Sequence, residues 1–305
     1  MPPAPDPNRD ARRGIRAAQS GAVVNVLLAA IKVTAGALGN TYALVADGLE
    51  SLTDVAASLI VWGGIAVGAQ PPDEDHPYGH GKAEALAAAA VSVMLLGAAV
   101  GIAVQAIREI LTPHQFPRAW TLLVLVGVVG IKMVLARRVR SVGEHSGSPA
   151  VQADASHHSS DAITSAAAFI GISVALLGRR FGGGPRWAAA DDWAALAASV
   201  IVTRNGVSML MVGLDDLMDR TPGTAVLTPL RAAALSVASV CAVETLSARR
   251  VGFGYHVIVH IEAAATLTLA EGHEIGHRVV DAMKAAVPHV LSVVVHMEPH
   301  EPMTR

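Results

Sequence analysis

The chain has 305 residues, of which 52% are hydrophobic and only 16% are Asp, Glu, Lys or Arg, with a mean hydropathy of +0.46. That is more apolar than an ordinary soluble protein of this length, and a formal net charge of −2 leaves no electrostatic basis for nucleic-acid binding. The single cysteine, Cys241, excludes an internal disulfide and any cysteine-rich zinc motif.

Residues 1–14 are proline-rich and polar, with Arg9, Arg12 and Arg13, and are expected to form a disordered tail. An apolar run follows without a convincing cleavage site, so the first span is expected to be retained. Six apolar segments lie at about 15–37, 42–69, 83–111, 119–139, 149–178 and 189–213, each near the ~20 residues a bilayer requires. Turn and breaker signals separate them at Gly39-Asn40-Thr41, the polar stretch 70–82, Thr112-Pro113 and Gly182–Pro185. Their abundant small residues suit close helix packing in lipid. Arg9, Arg12, Arg13, Arg16, Lys82, Arg137, Arg138 and Arg140 fall on one side, which the Lys/Arg asymmetry makes the cytoplasm. Arg118, Arg179, Arg180 and Arg186 oppose that bias. Both termini are then cytoplasmic.

Two of these segments carry a polar stripe. Asp47-Gly-Leu-Glu50-Ser-Leu-Thr-Asp54 lies in the second span and Asp154-Ala-Ser-His157-His-Ser-Ser-Asp161 in the fifth. Both follow D-x-x-[E/H]-x-x-x-D, whose spacing puts the polar residues on one helical face. Ionisable groups in hydrocarbon are expensive, and mark a pathway or a binding site. With the two spans antiparallel, Glu50 faces Asp161 and Asp54 faces His157: four donors, enough for one tetrahedral metal ion. Asp47 falls on the outer side of this group and Asp154 on the inner side. His158 points off the stripe. Lys32 and Lys132 either pair with acidic residues or snorkel to an interface, and the sequence does not choose.

From about 214 the pattern changes. Residues 224–238 read as a helix, 243–251 and 254–262 as strands around a Gly252/Gly254 turn, 269–287 as a helix and 290–298 as a strand. The order αββαβ predicts a small α+β sandwich with its helices on one face of the sheet, and at this size oligomerisation would help it.

Taken together, three motifs resemble the cation diffusion facilitator family over nearly the whole chain. They are Ala46-Asp47-Gly-Leu-Glu-Ser-Leu-Thr-Asp54, His76-Pro-Tyr-Gly-His80-Gly-Lys82-Ala-Glu84, and Ala153-Asp154 with His157, Ser160 and Asp161. The resemblance implies an α-helical membrane protein: six transmembrane helices over 15–213, then a cytosolic ferredoxin-like domain over 214–305 that binds metal and dimerises. It implies a homodimer, multi-pass in a bacterial inner membrane, that exports divalent transition metal in exchange for protons. Zinc is the first expected cargo, with iron, manganese and cobalt as alternatives. A membrane-bound metal sensor without transport is the competing reading.

The resemblance also assigns sites. Glu50, Asp54, His157 and Asp161 match the transport site, although the family commonly has Asp, His, Asn or Tyr where this chain has Glu50. Asp73, His76 and His80 match a loop metal site. His260, His273, His296 and Glu298 match a cytosolic cluster, and Glu244 stands where the family often has a further histidine. Lys82 and Asp219 resemble a family ion pair. One competing motif remains: His273-Glu274-Ile-Gly-His277 satisfies the H-E-x-x-H pattern of zincin proteases. Gly276 weakens that helix and the small domain suggests no cleft, so the match is read as chance and the protein as no enzyme. His277 and His289 are read as surface residues.

Overall fold

The computed structural model describes residues 7–38, 42–111, 121–146, 148–181, 187 and 189–300. The expected turns at 39–41, 112–113 and 182–185 lie outside the described residues, as do the side chains of Lys32, Asp47 and Glu50. The chain divides into two compact units, one of residues 12–214 and the other of residues 215–300 grouped with residues 7–11.

The first unit is built from six helices: α1 (Pro7–Leu38), α2 (Tyr42–Gly68), α3 (Lys82–Leu111), α4 (Thr121–Ser146), α5 (Pro149–Arg180) and α6 (Ala190–Leu217). The start of α1 corrects the expected tail: residues 7–14 are helical. Pro7 opens the helix, where its missing N–H costs nothing, and Arg9, Ala11, Arg12 and Arg13 after it are good helix formers. Among the described residues, three helical stretches are long and apolar enough to cross a membrane: Arg12–Ile31, Lys82–Leu111 and Asp192–Leu217. In α5 the polar stripe from Asp154 to Asp161 occupies the first half of the helix. In α4, Lys132, Arg137, Arg138 and Arg140 interrupt the run.

The sidedness of this unit is inverted relative to a water-soluble bundle. Asn25, Asp54, Glu84, Lys132, Asp154 and His158 are buried, while Leu86, Val100, Leu123, Ile170 and Val200 are exposed. Apolar surface outward and polar groups inward is the arrangement lipid requires. Close approach comes from small residues. Gly64 and Gly68 of α2, four apart, lie against Ala83, Glu84 and Ala87 of α3, and a Cβ on Gly64 would fall 2.3 Å from that of Ala87. The fully buried Glu84 carboxylate accepts a hydrogen bond from the Ser148 hydroxyl. The Ser148 oxygen in turn receives the Val151 N–H at 3.4 Å. The starts of α3 and α5 are thereby tied at one end of the bundle.

The second unit contains α7 (Thr224–Leu235), β1 (Ala242–Val251), β2 (Gly254–Ala263), α8 (Leu269–Ala286) and β3 (Val290–Pro299). The sheet order is β1-β2-β3, with β1 and β2 antiparallel and β2 and β3 parallel. Gly252, at φ 55°, supplies the positive φ that the β1–β2 turn demands. Thr268 and Glu271 form a capping box that opens α8. Alternation then sorts the faces. Val257, Val259 and Ile261 pack against Leu230 of α7 and Ile275, Val279 and Met283 of α8. Fully burying such a side chain is worth about 1.5–3 kcal/mol. His256 and His260 take the opposite face, away from the helices.

Candidate functional site

Asp54 comes from α2, and His157 and Asp161 come from α5, one turn apart. All three are buried, and one ligand atom from each lies within 4.8 Å of the others. His157 Nε2 is 3.1 Å from Asp54 Oδ1 and 3.9 Å from Asp161 Oδ2. Lys132 of α4 joins them, its Nζ 3.3 Å from Asp161 Oδ2 and 3.5 Å from Asp54 Oδ2. Glu50 sits one turn before Asp54 in α2, and its side chain lies outside the described residues. Beside this group, His158 and Asp154 are fully buried with Nε2 and Oδ1 3.6 Å apart. The off-stripe histidine therefore meets the carboxylate one turn before it.

A cavity of ≈ 710 Å³ adjoins the three residues. Asp54, His157 and Asp161 line it together with Met94, Ala98, Gln105 and Ala106 of α3 and Asp192 and Ala195 of α6. These α3 residues run from the middle of the helix towards its end far from Lys82, and those of α6 occupy its first turns. The cavity thus runs away from the end of the bundle where Glu84 and Ser148 join.

In the α2–α3 loop, Asp73 gathers both histidines. His76 Nδ1 is 3.2 Å from Asp73 Oδ1, and His80 Nε2 is 3.4 Å from Oδ2. The His76 backbone N–H also donates to Asp73 at 2.6 Å, which holds that carboxyl below the usual carboxylate range. Gly79, at φ 81°, closes the turn with its N–H on the His76 carbonyl at 2.9 Å. One ligand atom from each of Asp73, His76 and His80 again falls within 4.8 Å of the others.

In the second unit, β2 and β3 put His260 directly beside His296, and Glu262 beside Glu298. His260, His296 and Glu298 bring their ligand atoms within 4.8 Å. The His260 imidazole lies 2.9 Å from Glu298, holding that carboxyl below its usual range. Glu244 of β1 reaches to 3.9 Å from His260, and its hydrogen bond with Glu298 pushes its own carboxyl up. His273 stands apart from this trio. It belongs to α8, on the other face of the sheet from His260, and its Nε2 is 3.1 Å from that of His277. Both line a cavity of ≈ 520 Å³ with His296 and Glu298. His289, expected at the surface, is half-buried.

His256 pairs with Ser292 at 2.5 Å. Burial, and then the Arg249 guanidinium, push its imidazole below the usual histidine range. The unfolded chain would take up this proton first, at about pH 6.5. Its stabilising contribution is therefore present above that pH and lost as pH falls towards the lower folded value. Replacing His256 by Asn should flatten the pH dependence of β2 amide exchange between pH 7 and 5, measured in the full chain.

Sequence comparison decides the family. A model described as the cation efflux transmembrane domain matches residues 18–218, and one described as the cation efflux protein cytoplasmic domain matches residues 222–300. The chain belongs to the cation diffusion facilitator family. It is 29% identical over 281 residues to the manganese efflux system protein MneP of Bacillus subtilis (strain 168), spanning 91% of this chain and 93% of that one. It is 30% identical over 283 residues to the magnetosome protein MamM of Paramagnetospirillum magneticum, spanning 92% and 87%.

As a cation diffusion facilitator, the protein is a membrane-spanning metal-cation transporter and not an enzyme. Two residues of these clusters escaped assignment from sequence. Glu244 stood out only as a departure from a histidine. Lys132 is a lone cation among apolar neighbours, and its Asp54 partner is 78 residues away.

Proposed function

We propose that this protein exports a divalent transition-metal cation from the cytoplasm in exchange for protons, by alternating access at Asp54, His157 and Asp161 with Glu50 as fourth ligand. The observation that carries this reading is the buried three-donor group opening onto a cavity. A sensor without transport would need only the cytosolic trio, and would have no use for ionisable residues buried among apolar spans. The donor set is one imidazole with carboxylates and no thiolate, which suits Zn²⁺, Fe²⁺, Mn²⁺ or Co²⁺ and disfavours Cu(I). Glu50 adds oxygen to the set, which moves the preference from zinc towards Mn²⁺ and Fe²⁺. The likeness to MneP points the same way.

Metal binding needs ionised carboxylates and a neutral His157, so entry of the ion releases protons. With the termini in the cytoplasm of a bacterial cell, the cavity beside Asp192 faces outward, and Asp154 lies on the cytoplasmic approach. The domain boundaries follow: six spans over 15–213, then a metal-binding domain from 214 through which the homodimer forms. Asp73, His76 and His80 collect cations at the cytoplasmic mouth, and His260, His296 and Glu298 sense them. The test is uptake of Zn²⁺, Fe²⁺, Mn²⁺ and Co²⁺ into vesicles under an imposed pH gradient, with internal pH followed. Metal flux that leaves the proton gradient untouched would exclude the exchange.

A further inference from the structure

Lys132 is a buried charge that the efflux reading does not use. It lies on α4, opposite the metal-site residues of α2 and α5, and is 5% exposed. A lysine at such depth is costly unless paired, and here Asp54 and Asp161 both pair with it. Its Nζ lies 3.3 Å from Asp161 Oδ2 and 3.5 Å from Asp54 Oδ2. These belong to the two carboxylates proposed to ligate the metal. A metal ion at the usual ligand distance of about 2.0–2.2 Å from both would share its space with the ammonium group. Like charges that close repel strongly where water is excluded. The ammonium is a compact charge on a flexible four-carbon stem, able to withdraw while the helices keep their places.

We propose that Lys132 is a tethered cation that competes with the cargo for Asp54 and Asp161. It neutralises the carboxylates between ions, and each arriving divalent ion displaces it. The inference rests on the reading of Asp54, His157 and Asp161 as the cargo site. Two consequences follow. The unloaded site can change its exposure from one side to the other without bared carboxylates in a low-dielectric interior. The site also discriminates by charge: a monovalent ion would exchange one positive charge for another, whereas a divalent ion adds a charge to the carboxylates it binds.

The test uses the full-length chain with Mn²⁺ alone and Zn²⁺ alone as probes. Binding at the membrane site is the component lost in Asp161→Ala, which separates it from the loop and cytosolic clusters. Lys132→Met should bind both ions at that site about tenfold more tightly, since no competitor holds the ligands, yet transport more slowly in vesicles because release is harder. Lys132→Arg keeps a tethered cation and should stay within a few-fold of the parent in affinity. Metal-free Lys132→Met should melt lower than the parent and gain more in Tm when Mn²⁺ is added. Lys132→Gln supports the same comparison if the Met variant is recovered poorly. Unchanged or weaker binding in both Lys132→Met and Lys132→Gln overturns the proposal, because a purely structural ion pair loosens the site when it is lost. If Asp161→Ala removes no binding component, the cargo-site reading itself fails and takes this one with it.

Discussion

Asp54→Asn should abolish metal transport in a protein that still folds. The substitution keeps the shape of the side chain, removes its charge, and replaces an oxygen that can ligate a cation by an NH₂ group. His157, 3.1 Å away, loses the carboxylate that fixes its ring, and Lys132 loses one of its carboxylates while keeping Asp161. Loss of groups merely behind a metal's ligands typically costs 10–100-fold, so loss of a ligand should lower Mn²⁺ uptake by more than about 100-fold. The cost to folding is smaller. A buried hydrogen-bonded group left short of its partner costs about 1–3 kcal/mol, and part of this is recovered because the asparagine can still accept from His157 or Lys132. On the proposed exchange, His157→Ala should fail in the same assay and lose metal-driven proton flux as well, since it would remove both a ligand and a proton carrier. Vesicle uptake measured beside thermal melting separates the two effects. Parental flux in Asp54→Asn would remove this carboxylate from the transport site.

Much of this arrangement was legible because it is periodic. Asp54 shows in the sequence as the end of an eight-residue stripe, and His157 and Asp161 as part of a second, each against an apolar background. The sandwich showed equally well, because His256 and His260 alternate with the apolar Val257, Val259 and Ile261 after the Gly252/Gly254 turn. What escaped has no periodic signature. Lys132 is followed one turn later by Leu135 and Ala136, so nothing local says whether it pairs or reaches for an interface. The choice is made by two helices distant in sequence. Glu244 lies where the pairing of β1 with β2 shifts register between Val243 and Leu246, and a shift of that kind decides which side chain reaches His260. The start of α1 was missed for the opposite reason: prolines at 2, 3, 5 and 7 suggest disorder, while the last of them opens a helix.

The packing that holds Asp54 in place predicts a second large effect, at Gly64. Valine is a slightly better helix former than glycine, by a few tenths of a kcal/mol, so local propensity alone would make Gly64→Val harmless. Contact geometry overrides it. A Cβ at Gly64 meets the Ala87 Cβ at 2.3 Å and the Ala83 carbonyl oxygen at 3.1 Å, and neither neighbour is a flexible side-chain end that can swing aside. Helices α2 and α3 must separate, and overpacking of this kind costs about 1–3 kcal/mol or more. Because α2 carries Asp54, the separation also alters its distance to His157 on α5. Gly64→Val should therefore lower the melting temperature and reduce Mn²⁺ uptake together. Gly63→Val is the matched control: the chemistry is identical one residue earlier, Gly63 is exposed and nothing lies within 4 Å of the added Cβ, so neither quantity should fall. Adding Ala87→Gly to Gly64→Val removes the worst contact but leaves the Ala83 carbonyl, and should recover part of the loss. Equal behaviour of the Gly63 and Gly64 variants would mean that α2 and α3 do not cross where this packing places them.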